Sequence, residues 1–196
     1  MTFTGRDTLR FLGFRGEPGP EERARLAEAE AAVRAVAELR HVARLVDIRR
    51  GGDGELDLGG AFRLRSESLA TNLRDCPRAF LFVATLGPGP DRLVRRLEAT
   101  GRIADAAWAQ SAAGELEDAW CDDVVALLAR DPAVAGCALR PRFSPGYGDV
   151  PLAIQRPFLA AVDATRRIGV SLTESLLMVP TKTVSAFVGV TEAPPP

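Results

Sequence analysis

The sequence predicts an α+β fold, because long helical segments and strand-like segments follow one another without the regular alternation of a doubly wound sheet. A chain of 196 residues, of which 46% are hydrophobic, is long enough to bury one core and short for two. We therefore expect a single domain over residues 1–196. We expect it to begin with a helical segment to about residue 41 and to end in a proline tail at 193–196.

The first elements predicted are a helix, a hairpin and a short second helix. Glu21–Arg40 has acidic residues in its first turn and apolar residues at helical spacing, which predicts an amphipathic helix. Ala43–Arg49 and Leu56–Arg65 alternate apolar and polar residues on either side of a Gly-Gly-Asp-Gly turn, as in a hairpin or a pair of half-buried strands. Ser66 can then cap a helix that runs to about Arg74.

The next segments alternate less and are more apolar. Ala79–Thr85 is a continuous apolar run, which predicts a fully buried strand leading into a helix at Asp91. The longest helix is expected from Ile103 to about Ala129, with a large apolar stripe that belongs to the core. The remaining elements expected are a strand, a helix and a final strand, at Cys137–Arg142, Leu152–Ala161 and Thr183–Val190.

Charge and hydropathy exclude several classes of partner. The formal net charge is −1, so no large field favours nucleic acid or an anionic membrane. No apolar run approaches the roughly 20 residues that a membrane span needs, and the N-terminus lacks a secretory signal pattern. We therefore expect a cytoplasmic protein.

Cysteine and histidine content argues against a metal site and against a catalytic nucleophile. The three cysteines show no C-x-x-C spacing, so neither a disulfide framework nor a zinc site is encoded. The one histidine, His41, excludes a multi-histidine metal site within one subunit. We place His41 at the end of the first long helix, where a base suits the helix dipole, and assign it a structural role.

Two irregular segments are the strongest indication of a binding site. Arg142–Pro151 holds an Arg, two Pro, two Gly and the only Tyr, a composition that fixes the backbone and leaves N–H groups free for a ligand. The alternative is a rigid turn in which Arg142 pairs with an internal acid. Leu172–Pro180 opens with Thr-Glu-Ser, whose oxygens either meet a ligand or form a structural polar network.

Both segments resemble the activation domain of cobalamin-dependent methionine synthase, as in a short free-standing homologue. The family pattern is Arg-x-x-Pro-Gly-Tyr, then Leu-Thr-Glu-Ser, Met-x-Pro and Val-Ser, and this chain matches it over roughly residues 137–190. Looser matches occur upstream, at Leu9–Gly16 and Ala84–Pro88. The resemblance implies a twisted antiparallel sheet flanked by helices.

The resemblance also implies a ligand and its contacts. The family domain binds S-adenosylmethionine, and by this match Arg142 would clamp its carboxylate. Asp118 on the long helix, with Glu117 as the alternative, or Glu174 would face its positive groups. The other residues that the match places at the ligand are those of the loop, with Tyr147 packing on the ligand or on a corrin edge: Pro145, Gly146, Tyr147, Gly148 and Asp149.

The expected function is that of a reactivation subunit, which is not a complete enzyme. In the family, S-adenosylmethionine and an electron from flavodoxin or a similar donor restore methylcobalamin from an oxidised cobalamin. The chain contains no Asp-x-His-x-x-Gly motif of a cobalamin-binding module. We therefore expect cobalamin only through a partner methyltransferase. One alternative is a regulatory or structural protein that binds S-adenosylmethionine or a nucleotide without methyl transfer. The other is a structural subunit of a corrinoid methyltransferase complex.

Overall fold

The computed structural model describes residues 1–192, so the proline tail predicted at 193–196 lies outside the described residues. Its main feature is a six-stranded antiparallel sheet with the strand order β3-β2-β1-β4-β8-β5. A separate two-stranded ribbon is formed by β6 and β7. The strands are β1 Arg40–Arg50, β2 Glu55–Leu58, β3 Phe62–Arg65, β4 Arg78–Thr85, β5 Ala138–Leu139, β6 Ser171–Leu172, β7 Met178–Val179 and β8 Thr183–Thr191.

Strand β4 lies between β1 and β8 and organises the sheet. Its residue Leu81 faces Arg44 of β1 on one side and Phe187 of β8 on the other. Seven of its eight residues are buried. A strand buried on both faces needs apolar residues at every position, which explains the continuous apolar run and confirms the strand predicted over Ala79–Thr85.

Helices cover both faces of the sheet. The helix α5 packs on one face, and α1, α2 and α4 pack in turn on α5. The helices α6 and α7 contact the other face, and residues of α3 join the core there. Their bounds are α1 Arg6–Phe11, α2 Pro20–Val36, α3 Glu67–Asn72, α4 Gly89–Ala99, α5 Ile103–Leu128, α6 Gln155–Ala161 and α7 Ala164–Ile168.

Aromatic side chains fill the core on each face. On the α5 face, Phe80 and Phe82 of β4 pack in one cluster with Val124 of α5. On the opposite face, the ring of Phe158 in α6 lies edge-on to Phe187, with ring centroids 5.0 Å apart. Burying a side chain of this size contributes about 1.5–3 kcal/mol to the free energy of folding.

One buried carboxylate fastens the N-terminal residues to the long helix. Glu115 of α5 is only 5% exposed. Its Oε1 accepts hydrogen bonds from the amides of Thr4 and Gly5 and from the Thr4 hydroxyl, at 2.7–2.9 Å. Its Oε2 accepts from the amide and hydroxyl of Thr8, at 2.9 and 2.8 Å. The short helix α1 therefore depends on a contact more than 100 positions away in sequence.

The first long helix ends earlier than predicted. It ends at Val36, because Ala37 is extended and the Glu38 amide donates to the Leu86 carbonyl at 2.8 Å. Residues 40–50 then form strand β1. The placement of His41 at the end of a helix was therefore wrong, since it lies in β1 with its ring 5.6 Å from that of Trp120.

Two predicted strands also differ from those in the structure. The strand predicted over Leu56–Arg65 is two strands, because Gly59 and Gly60 have φ values of +62° and +68° and turn the chain between β2 and β3. The strand predicted over Cys137–Arg142 is reduced to β5, Ala138–Leu139, followed by an isolated bridge from Phe143 to Phe187. The segment still leads into the loop that begins at Arg142, as predicted.

Within residues 1–192, no helix is both long and apolar enough to cross a membrane.

Candidate functional site

A cleft of about 470 Å³ opens where the loop after β5 meets the middle of α5, the start of α6 and the first residues of β8. Its volume lies in the range of small-molecule sites. Residues of both sequence segments line it together with one residue of the long helix. The lining residues are Asp118, Arg142, Phe143, Ser144, Pro145, Tyr147, Gln155, Met178, Thr183, Val184 and Ser185.

Arg142 and Asp118 of α5 line the cleft, and Asp122, which also pairs with Arg142, lies just outside its lining. The Arg142 Nη2 atom lies 3.0 Å from Asp122 Oδ1 and 3.8 Å from Asp118 Oδ1. The aspartates are one helical turn apart, so both carboxylates lie on the same side of α5. Arg142 is 26% exposed. Arg142 therefore pairs with acids of the same chain, as the turn alternative required, and it also lines the cleft, as the binding-site prediction required.

The loop that follows Arg142 is tightly folded. The Gly146 amide donates to the Val150 carbonyl at 3.0 Å, and the Tyr147 amide donates to the Ser144 carbonyl at 3.2 Å. The expectation that loop N–H groups remain free was therefore wrong for Gly146 and Tyr147. The φ of Gly146 is +88°, a conformation that glycine adopts without strain. The Tyr147 side chain is 70% exposed at the cleft.

Gly148 and Asp149 lie beside α3 and are not among the residues that line the cleft. The Asp149 carboxylate accepts hydrogen bonds from the Ser66 hydroxyl and from the amides of Glu67 and Ser68, at 2.7 and 3.2 Å for the amides. Ser66 caps α3 as predicted, by accepting from the Leu69 amide. A side chain on Gly148 would meet Ser68. Asp149 thus extends the cap of α3 and anchors the loop.

Replacing Asp149 by Asn is expected to lower the melting temperature by roughly 3 °C at neutral pH, because a neutral amide accepts hydrogen bonds more weakly than a carboxylate. The Ser66 hydroxyl and the Glu67 and Ser68 amides lower the pKa of Asp149 to about 2. The stabilisation is therefore present above the unfolded value of 3.8 and is lost as the pH falls towards about 2. Thermal melts between pH 7 and pH 2 measure this.

The control for that experiment is Asp53→Asn, at an exposed turn position with a φ of +55° that Asn tolerates. It should leave the melting temperature unchanged. An Asp149→Asn protein that melts like the control at pH 7 would contradict the capping role.

The three acids predicted as alternatives occupy different places. Asp118 lines the cleft, whereas Glu117 lies beside it on α5 and is not among the lining residues. The Glu117 Oε1 atom is buried without a hydrogen-bond partner among residues 1–192. Burial raises the pKa of Glu117 to about 7, against the opposing charge of Lys182. Of these two neighbours, Asp118 is the one in position to meet a ligand in the cleft.

Glu174 lies in the turn that joins β6 to β7, outside the cleft lining. Around it, Thr173 Oγ1 lies 2.9 Å from Ser175 Oγ and accepts a hydrogen bond from the Leu177 amide at 3.0 Å. This is the geometry of the structural polar network that was the alternative for the Thr-Glu-Ser segment. The turn positions Met178, whose side chain does line the cleft.

Sequence analysis missed Gln155 as a lining residue of the cleft and Asp122 as a partner of Arg142. Asp122 follows Asp118 by four residues on a helix, a spacing that already indicates a paired acidic face. Gln155 begins α6 on the face that carries Phe158 and Leu159, and all three are buried. A polar residue on an otherwise apolar helix face was the available signal.

Comparison with known proteins identifies the fold. No protein-family model matches the chain, and no curated protein matches it. Among solved structures, the crystal structure of the MetH reactivation domain bound to AdoHcy superimposes with a TM-score of 0.72 over 97% of this chain and 76% of that one, at 15% sequence identity. The chain therefore has the fold of the MetH reactivation domain. The predicted α+β fold, with an antiparallel sheet flanked by helices, is confirmed.

Proposed function

We propose that the cleft binds S-adenosylmethionine and that the protein is a reactivation subunit. It would act in trans on a cobalamin-dependent methionine synthase or a related corrinoid methyltransferase and support reductive methylation of cob(II)alamin. The observation that carries the proposal is the pair of opposite charges, Arg142 and Asp118, that lines a cleft of this fold. The solved structure of the same fold is bound to AdoHcy, the demethylated form of this ligand.

The charges of the cleft match those of S-adenosylmethionine. The ligand carries a carboxylate, an ammonium and a sulfonium, and thus a net charge of +1. Arg142 and Asp118 line the cleft with one positive and one negative charge, and Asp122 adds a second negative charge beside it. Among the hydrogen bonds of residues 1–192, Arg142 uses only Nη2, and a guanidinium has five N–H donors. The remaining donors can hold the ligand carboxylate, while Asp118 faces its positive groups.

The protein contributes binding and orientation. When bound, S-adenosylmethionine supplies a methyl group that is activated by the adjacent sulfonium. Arg142 would fix the amino-acid end of the ligand, and the exposed ring of Tyr147 would pack on the ligand or on the corrin edge of a partner. Holding the donor near its acceptor converts an encounter between molecules into a reaction within one complex.

The proposal needs a partner and an electron donor. A separate cobalamin-bearing methyltransferase would bring the cobalt, and flavodoxin or another donor would supply one electron. The methyl group of the ligand would pass to the reduced cobalt that the partner supplies, and S-adenosylhomocysteine would be the leaving product.

Calorimetric titration with S-adenosylmethionine tests the binding site. We expect Arg142→Ala to weaken binding about thirtyfold, because it removes a charge-assisted contact to the ligand carboxylate. Arg166→Ala is the matched control, since Arg166 is an exposed arginine that also pairs with an aspartate, Asp163, but lies outside the cleft. Equal affinities for the wild-type and Arg142→Ala proteins, or no saturable heat at millimolar ligand, would contradict the proposal.

Reconstitution tests the role in methyl transfer. The protein is mixed with a cobalamin methyltransferase in the cob(II)alamin state, an electron donor and S-adenosylmethionine, and the absorbance of methylcobalamin is followed. Recovery that depends on the protein supports a reactivation subunit. Binding without recovery would support the regulatory alternative instead.

A further inference from the structure

We infer that Gln155 recognises the adenine edge of the ligand and makes the cleft specific for an adenine nucleoside. This inference rests on the proposed function. Gln155 lines the cleft, is only 6% exposed, and its Oε1 atom has no hydrogen-bond partner among residues 1–192. The other buried side-chain atoms without a partner in that part of the chain belong to residues outside the cleft lining, namely Asn72, Glu117 and Arg140.

The position of Gln155 is poorly explained by packing alone. It opens α6 on the face formed with Phe158 and Leu159, where an apolar side chain would bury surface without losing a hydrogen bond. A buried acceptor left without a donor costs free energy comparable to a lost hydrogen bond. A ligand that donates a hydrogen bond to Gln155 Oε1 removes that cost. The Gln155 amide is therefore better satisfied in the ligand-bound protein than in the free one.

The chemistry of the amide indicates which part of the ligand it meets. A carboxamide accepts one hydrogen bond and donates another side by side, which matches the 6-amino group and adjacent ring nitrogen of adenine. The carboxylate and ammonium of the ligand are better matched by Arg142 and Asp118. The Thr183 hydroxyl, also in the cleft lining, is already bonded to Thr85 Oγ1 and the Pro180 carbonyl at 2.8 Å each. Gln155 is therefore the buried carboxamide of the cleft lining, with an acceptor and a donor side by side to read the base.

Base discrimination is the direct test. Calorimetry compares S-adenosylhomocysteine with its 6-deamino analogue, in which a hydrogen atom replaces the 6-amino group, so that the base no longer offers a donor to Gln155 Oε1. We expect the wild-type protein to prefer the adenosyl ligand at least tenfold. Gln155→Leu should bind the adenosyl ligand about tenfold more weakly and bind both ligands alike. Gln110→Leu, at an exposed position of α5, should keep the wild-type preference.

A purely structural role for Gln155 would give a different result. Because Oε1 has no partner in the protein, Gln155→Leu should keep or raise the ligand-free melting temperature. A variant that melts lower yet discriminates like the wild type would overturn the inference and leave the proposed function intact, as would a wild-type protein that binds both ligands equally. A wild-type protein that binds neither ligand would overturn both.

Discussion

Replacing Glu115 by Ala is expected to lower the free energy of unfolding by about 4 kcal/mol. The carboxylate accepts five hydrogen bonds from residues 4–8, and its removal leaves the buried amides of Gly5 and Thr8 without an acceptor. Unsatisfied buried donors cost their full desolvation penalty, which is why the loss should exceed that of an ordinary surface substitution. Urea denaturation followed by circular dichroism measures it.

Two further variants sharpen this prediction. Glu115→Gln retains one carbonyl acceptor but turns an NH₂ group towards donors, so it should lose roughly half as much stability as the alanine variant. Glu98→Ala, at an exposed site on α4, should change the free energy of unfolding by less than about 0.5 kcal/mol. If Glu115→Ala matched Glu98→Ala, the carboxylate would not hold the N-terminal residues in place.

Glu117→Gln is expected to stabilise the protein by about 3 kcal/mol at pH 8 and to change little at pH 4.5. Burial and, to a smaller extent, the charges of Asp118 and Asp91 raise the pKa of Glu117 from 4.5 to about 7, although Lys182 and Arg142 oppose the rise. Between these values the unfolded chain has lost the proton and the folded chain keeps it. Wild-type stability therefore falls as the pH rises from 4.5 to 7. Gln does not titrate, so the free energy of unfolding of the variant does not fall over this pH range.

Melting temperatures across this pH range measure the effect. The exposed Glu174→Gln is the matched control and should differ from the wild type by less than about 0.5 kcal/mol at pH 8. A Glu117→Gln protein whose advantage is the same at pH 4.5 and pH 8 would show that Glu117 keeps an ordinary carboxyl pKa in the folded protein.

Helices and strands whose bounds follow from a local sequence pattern were predictable. Those whose bounds depend on contacts with distant residues were not. The continuous apolar run of β4 and the long apolar stripe of α5 carry their structure in local sequence. Helix α1 has only six residues and is fastened by Glu115, so no local periodicity set its bounds within the helical segment expected to about residue 41. The end of α2 was misplaced because apolar residues continue past Val36, while the Glu38 amide bonds to Leu86.

The same distinction applies to the site. The Arg142 loop was predictable because its composition is irregular and its resemblance is local. The role of Asp149 was not, since its partner Ser66 lies 83 positions away. Gln155 became visible only when the fold showed that its amide is buried at the cleft without a partner. A pairing between two distant residues cannot be recognised from the local sequence around either residue.

The central position of β4 has a consequence for the protein as it leaves the ribosome. β4 can pair with β1 as soon as both have emerged, but its other neighbour begins at Thr183, 98 positions after Thr85 (183 − 85). At 5–20 residues per second, the nascent chain would carry an open apolar edge for roughly 5–20 s, a target for chaperones and for aggregation. The cleft is lined by Thr183, Val184 and Ser185 as well, so it forms only when the edge is closed. A ligand in this cleft would thus bind only those chains in which β8 has emerged and paired with β4.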